Sequence, residues 1–177
     1  MGTTQRNGLP AVTLRTATET EADLPALAAL FRDTVLVNAP QHYTAAQAEA
    51  WAAVDGASPR FRQFILGVTT YVAVDDTSIV GFAGIGEGGY VASVYVRHDC
   101  LHRGIGSTLM QTVLDHAQRE GLQRLYSEAS EFSLGLFIEF GFRQYGTEVV
   151  DRNGVQFTRY LMERVLVDGL NQNEATL

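Results

Sequence analysis

Apolar positions along this chain repeat with two periods, and short stretches of period two alternate with longer ones of period 3.6. Val12-Thr13-Leu14-Arg15 reads as a first strand. Leu24, Leu27, Ala28, Leu30, Phe31, Val35 and Leu36 then recur at helical spacing. Thr20-x-x-Asp23 ahead of them has the form of a capping box, with Asp in place of Glu. Asn38-Ala39-Pro40 breaks that helix. Thr44 starts a short helix through Ala53 carrying Trp51. Pro59 opens another with Phe61, Phe64, Ile65 and Leu66, ended by Gly67.

A run of strands follows. Thr69 to Val74 and Ile79 to Ile85 flank the turn Asp75-Asp76-Thr77, and Gly88-Gly89 leads into Tyr90 to Val96. From Gly104 to Glu120 the period returns to 3.6. Ile105, Leu109, Met110, Val113, Leu114 and Ala117 share one face, and Gly121 ends the helix. Leu125 to Glu128, coming after that helix, is expected to be a parallel partner of Tyr90–Val96 through a right-handed crossover. Ser133 to Phe140 is a short helix ended by Gly141. Phe142 to Val150, Asn153-Gly154 and Gln156 to Glu163 make a closing hairpin. The pattern predicts one α/β domain over residues 11–166, with flexible tails at 1–10 and 167–177.

Composition narrows the function. At 177 residues and 46% hydrophobic, the chain can bury one real core. A net charge of −7 without any basic run argues against nucleic acid as a partner. Cys100 is the single cysteine, so neither an intramolecular disulfide nor a cysteine-based zinc site is expected, and no metal is assigned. No apolar run reaches signal or membrane length, which predicts a cytoplasmic protein without a membrane partner.

The chemistry gathers between Val94 and Ala117. A strand feeds a polar bend, then Arg103-Gly104-Ile105-Gly106-Ser107-Thr108, then a helix. The first amides of a helix lack internal partners, and the dipole adds about half a positive charge there, so such a turn suits phosphate. Two familiar phosphate motifs fail. Leu109 stands where a dinucleotide fingerprint needs its third glycine, although Glu128 lies near the place of a ribose-binding acid and keeps a dinucleotide oxidoreductase open. No lysine follows the glycines, which excludes a P-loop.

The stretch VYVRHDCLHRGIGSTLM resembles the acetyl-coenzyme A signature of the GNAT N-acetyltransferase superfamily, Q/R-x-x-G-x-G/A after a strand. LFIEFGFR resembles that family's FYExxGF segment, and VNAPQHYTAAQAEAWA is similar to a group of its small bacterial members. The resemblance covers about residues 12 to 164. It implies a mixed, mostly antiparallel twisted sheet of about six to seven strands flanked by helices, with a splayed parallel strand pair holding the cofactor. It also implies acetyl-CoA as co-substrate, bound by Val94, Tyr95 and Val96 on the strand and by Arg103, Gly104, Ile105, Gly106, Ser107 and Thr108 in the loop. Ser130 stands where the family often places an Asn that contacts the cofactor. Phe137 holds the place of a Tyr that protonates the leaving thiolate in much of the family. Leu101 replaces the usual Gln or Arg, and His98 and His102 replace a common Pro and Gly.

Acetyl transfer to an amine needs its lone pair. A lysine-like amine has a pKa of ~10.4, so a base must take its proton. Gly84, Gly86 and Ala92 stand where relatives often carry acids. Glu128 and Glu87 are the surviving catalytic candidates. His42 and Tyr43 are expected to line the acceptor site. The leading expectation is an acetyl-CoA-dependent N-acetyltransferase acting on a primary amine of a small molecule or peptide. The alternative is a catalytically weak acyl-CoA-binding regulatory module. The closing hairpin leaves an edge on which a second copy could pair as a homodimer.

Overall fold

Strands rich in β-branched residues form two sheets rather than one in the structure, a computed structural model that describes residues 11–18 and 22–166. In the first, β1 (Thr13–Thr16), β2 (Thr69–Val74), β3 (Ile79–Ile85) and β4 (Val91–Val96) run antiparallel in chain order. In the second, β7 (Val155–Val165) lies between β5 (Arg124–Ala129) and β6 (Arg143–Arg152), antiparallel to both. The helices are α1 (Asp23–Asn38), α2 (Ala45–Ala52), α3 (Pro59–Leu66), α4 (Ile105–Arg119) and α5 (Leu134–Glu139). Among the described residues no helix is long and apolar enough to cross a membrane. The stretches expected as tails lie outside the described residues.

Each face of the first sheet carries its own core. Leu109, Met110 and Val113 of α4 pack with Val80, Ile85, Leu125 and Met162 on one side. Leu27 of α1 and Ile65 of α3 pack with Val72 and Phe82 on the other. The α4 face read from periodicity is the buried one. The capping box of α2 also forms, Thr44 accepting from the Gln47 amide at 3.2 Å while Gln47 Oε1 accepts from the Thr44 amide at 2.9 Å.

The expected parallel pairing of β4 with β5 shrinks to one bridge, Tyr90 to Tyr126. Two features separate the strands beyond it. β4 holds an extra residue, Ala92, between the rungs Ile85–Val91 and Gly84–Ser93, and such a bulge bends a strand. β5 is meanwhile paired along its length with β7. Gly89 fixes the closed end. Its φ is +89°, and a Cβ there would fall 2.0 Å from the Arg124 carbonyl oxygen, so any other residue would push β5 away.

Asp23 differs from its expected role. Thr20 lies outside the described residues, and Ala22, which precedes the helix, gives no side-chain cap. The Asp23 carboxylate accepts both arms of Arg15, each at 2.8 Å, and the Thr18 amide at 2.9 Å. The Arg15 hydrogen bonds outweigh burial and hold its pKa at about 2. A depressed carboxylate contributes stability above its unfolded pKa of ~3.9, and that stability is lost as pH falls towards the folded value. Arg15 is 42% exposed, so water screens the pair and the contribution is held to about 2 kcal/mol. We expect Asp23→Ala to lower unfolding stability by that amount at pH 7. The gap to the parent should close between pH ~4 and ~2 in denaturant titrations. A gap that stays constant across this window would dismiss the ion pair.

Candidate active site

The site follows from how β4 uses its two edges. The Arg97 amide donates to the Val80 carbonyl at 2.8 Å, which sets the alternation of the ladder with β3. Tyr95 and Ser93 therefore bond to β3, while the backbone groups of Val94 and Val96 point to the open side. The Val96 carbonyl accepts the Thr34 hydroxyl at 3.2 Å, which leaves Val94 as the residue with both groups facing the gap. At the closed end the Ser127 hydroxyl donates to the Val91 carbonyl at 2.7 Å. Beyond that bond the strands diverge and a groove opens.

Beyond β4 the chain bends into the start of α4. The preceding loop makes a 3₁₀ turn at His98–Cys100 with Cys100 buried, then passes through positive φ at His102 (58°) and Gly104 (80°). Thr108 is the first residue of the helix whose amide finds a backbone carbonyl, that of Gly104 at 2.9 Å. The amides of Ile105, Gly106 and Ser107 are thus left for an external acceptor. The Thr108 hydroxyl donates to the same carbonyl at 2.9 Å. Ile105 is buried and offers only its backbone, whereas Arg103 is exposed. A Cβ on Gly104 would have nothing within 4 Å, and one on Gly106 would sit 3.6 Å from Val96 and Leu136. The loop is open at Gly104, where a phosphate would approach.

Between β4 and the second sheet lies a cavity of about 580 Å³. One wall is β4, the second is the face of the β5–β7–β6 sheet, and α2 and α3 close it. Aromatic side chains dominate the closure. Tyr43 and Trp51 meet edge to face at 5.3 Å, and Trp51 reaches Phe157 at 6.3 Å. The Tyr43 hydroxyl accepts the Glu131 amide at 3.0 Å, tying the segment before α2 to the loop after β5. Tyr95 lies 5.2 Å from Phe82 and 4.7 Å from Phe31, and burial pushes its phenol up to about 12.

Half-buried Glu128 lines the cavity beside Tyr90. The Tyr90 phenol is held far above its ordinary range, first by burial and then by hydrogen bonding to the Glu128 carboxylate; Arg159 nearby opposes the shift. Arg159 Nη2 donates to Glu148 at 2.5 Å, while its Nε is buried and has no hydrogen-bond partner. Ser130 and Ser133 face each other, hydroxyl to hydroxyl, at 3.1 Å. Phe137 is 3% exposed and stands edge-on to Phe142 at 5.0 Å.

Of the residues expected from sequence, Glu128, Tyr43, Val94, Tyr95, Ser130 and Phe137 all line this cavity. Glu87 and His42 are exposed and do not. Sequence reasoning missed Tyr90, Arg152, Phe157 and Arg159. A signal for the last was present, because Phe157-x-Arg159-x-Leu161 puts a charge in the apolar phase of a strand. Among the described residues, no group of three or more His, Cys, Asp or Glu side chains could hold a metal ion.

The model of the acetyltransferase (GNAT) domain matches residues 39–164 of the chain. An uncharacterized N-acetyltransferase of Escherichia coli K12, YafP, is 27% identical over 140 residues, 79% of this chain and 88% of that protein. The fold superimposes on a GCN5-related N-acetyltransferase from Rhodopseudomonas palustris with a TM-score of 0.83 at 24% identity, over 91% of this chain and 99% of that one. It also matches YncA from Salmonella typhimurium, whose structure was solved with its cofactor acetyl-CoA. That TM-score is 0.64 at 21% identity, over 93% and 99% of the two chains.

Proposed function

The chain belongs to the GNAT acetyltransferase family, and we propose that it transfers the acetyl group of acetyl-CoA to a primary amine of a small molecule or peptide, by direct attack in a ternary complex. The observation that carries this reading is an arrangement around one strand. β4 has its open edge at Val94 on the wall of a cavity that holds Glu128, and the chain leads on from β4 through a bend to the unclaimed amides of α4.

Acetyl-CoA enters as co-substrate, its pyrophosphate at Arg103–Thr108 and its pantetheine arm along β4. Glu128 takes a proton from the acceptor ammonium. The freed lone pair attacks the thioester carbonyl, and the charge that develops on its oxygen is met by a backbone amide of β4. The C–S bond then breaks as the amide forms. The nitrogen sheds its second proton as the amide forms, and that proton reaches the departing thiolate, whose thiol has a pKa of ~8.5, relayed by water or by the Ser130 or Ser133 hydroxyl, which gives one proton and regains another. Thiol release from acetyl-CoA across a panel of primary amines tests the reading. Tight acetyl-CoA binding with no release in any member would favour instead a regulatory acyl-CoA-binding module. Phe137, with Gly84, Gly86 and Ala92 in place of acids, is the feature that favours that second reading.

Phe137 offers a finer test. Since it lines the cavity, Phe137→Tyr can place a hydroxyl close to the sulfur. A positioned acid contributes ~100-fold or more in general. A thiolate leaves easily without one, so we expect a rate gain of at most about tenfold at pH 7, shrinking above pH ~8.5. Thiol release against pH for both proteins measures it. No gain in a variant of unchanged stability would mean that thiolate protonation does not limit the rate.

A further inference from the structure

The charges around the acceptor cavity are arranged unequally. Arg152 and Arg159 both come from the β6–β7 hairpin and both line the cavity. Strand register puts them on the face that carries Glu128, because Glu128 lies opposite Leu161, two residues from Arg159, and Arg152 lies opposite Val155 in the same phase. Arg159 holds Glu148 with one nitrogen and leaves its Nε without a partner. Arg152 has no carboxylate partner among the described residues. Its guanidinium lies 5.8 Å from the centre of the Phe157 ring, and its charge opposes the upward shifts of the Tyr43 and Tyr95 phenols.

The acids of the lining do not balance them equally. Asp55 accepts the Ala57 amide and Asp151 the Gly154 amide, each at 2.9 Å, so both serve their own turns. Glu128 is the lining carboxylate tied to neither a backbone amide nor an arginine among the described residues. A simple cationic amine would be drawn to Glu128 but repelled by two guanidinium groups on the same face. An acceptor bearing a carboxylate as well as an amine satisfies both signs. The aromatic closure from Tyr43, Trp51 and Phe157 suits a flat apolar body.

Resting on the acetyl-transfer reading, we infer that the acceptor is an amino acid-like zwitterion with an aromatic or similarly flat apolar body, its amine at Glu128 and its carboxylate at Arg159 and Arg152. Phenylalanine and tryptophan serve as probes against their methyl esters and against phenethylamine and tryptamine. Calorimetry on the CoA-loaded protein should show the free acids binding about tenfold or more tightly than their ester or decarboxylated counterparts, as hydrogen bonds to charged groups require. Arg152→Gln leaves the Arg159–Glu148 pair in place and should remove most of that preference; Arg159→Gln should do likewise. Equal or weaker binding of the free acids overturns the inference, as does a preference that survives both substitutions. The same panel assayed for thiol release separates the two readings. Binding preference without turnover of any amine counts against acetyl transfer and leaves the zwitterion site standing.

Discussion

Glu128→Gln should lower kcat for acetyl transfer by at least about 100-fold, the scale of a general base removed from a reaction that needs one. Glutamine keeps the shape and can still hydrogen-bond the Tyr90 hydroxyl, but it cannot take a proton from an ammonium. The fold should therefore survive, and because Glu128 lies away from the Arg103–Thr108 loop, acetyl-CoA affinity should stay within about twofold, well under 1 kcal/mol. Glu87 provides the comparison. It is exposed on the turn Glu87–Gly89 and absent from the cavity lining, so Glu87→Gln should change kcat by less than about twofold, again well under 1 kcal/mol. Steady-state thiol release at saturating acceptor measures both. A loss under about tenfold for Glu128→Gln removes it as the base, and a large loss in Glu87→Gln would transfer that role.

Gly106→Glu should weaken acetyl-CoA binding at least ~100-fold, about 2.7 kcal/mol, in a protein that still folds. The Cβ would sit in ordinary contact with Val96 and Leu136 at 3.6 Å, so the backbone need not move. The carboxylate would then extend towards the unclaimed amides of α4 and compete with a phosphate for them. An acid in a first helical turn is itself favourable, which is why stability should not suffer. Titration calorimetry together with thermal unfolding separates a lost site from a lost fold. Parent-like affinity in a folded variant would move the cofactor elsewhere.

What the sequence made legible was what local periodicity encodes. The apolar stripe of α4, the Thr44 cap and the Asn153-Gly154 turn are each written within one short local stretch of chain. The gap between β4 and β5 was expected from resemblance alone, because its causes are not local. The Ala92 bulge exists only relative to the register of β3. The carbonyl of Val96, on the strand expected to hold the cofactor, is occupied by a hydroxyl from α1, a contact between residues 62 apart in sequence. Tyr90 comes beside Glu128, and Arg159 onto the same cavity wall, through the assembly of separate strands, and no spacing in the sequence announces such a meeting. Asp23 looked like a cap because its neighbours fit the motif; Arg15, one strand earlier, claims it.

The strand order β5-β7-β6 also bears on when the second sheet becomes complete during synthesis. Of the described strands, the last to leave the ribosome is the central one of its sheet, and β5 has no ladder partner in that sheet until β7 arrives. Until then the nascent chain has the first sheet and its helices but no second wall, since Phe157 and Arg159 both ride on β7. β5 and β6 must wait with open edges, the condition in which strands pair wrongly. A chain stopped before residue 155 would therefore keep the Arg103–Thr108 loop yet lack the β7 wall of the cavity, and would expose two strand edges at once.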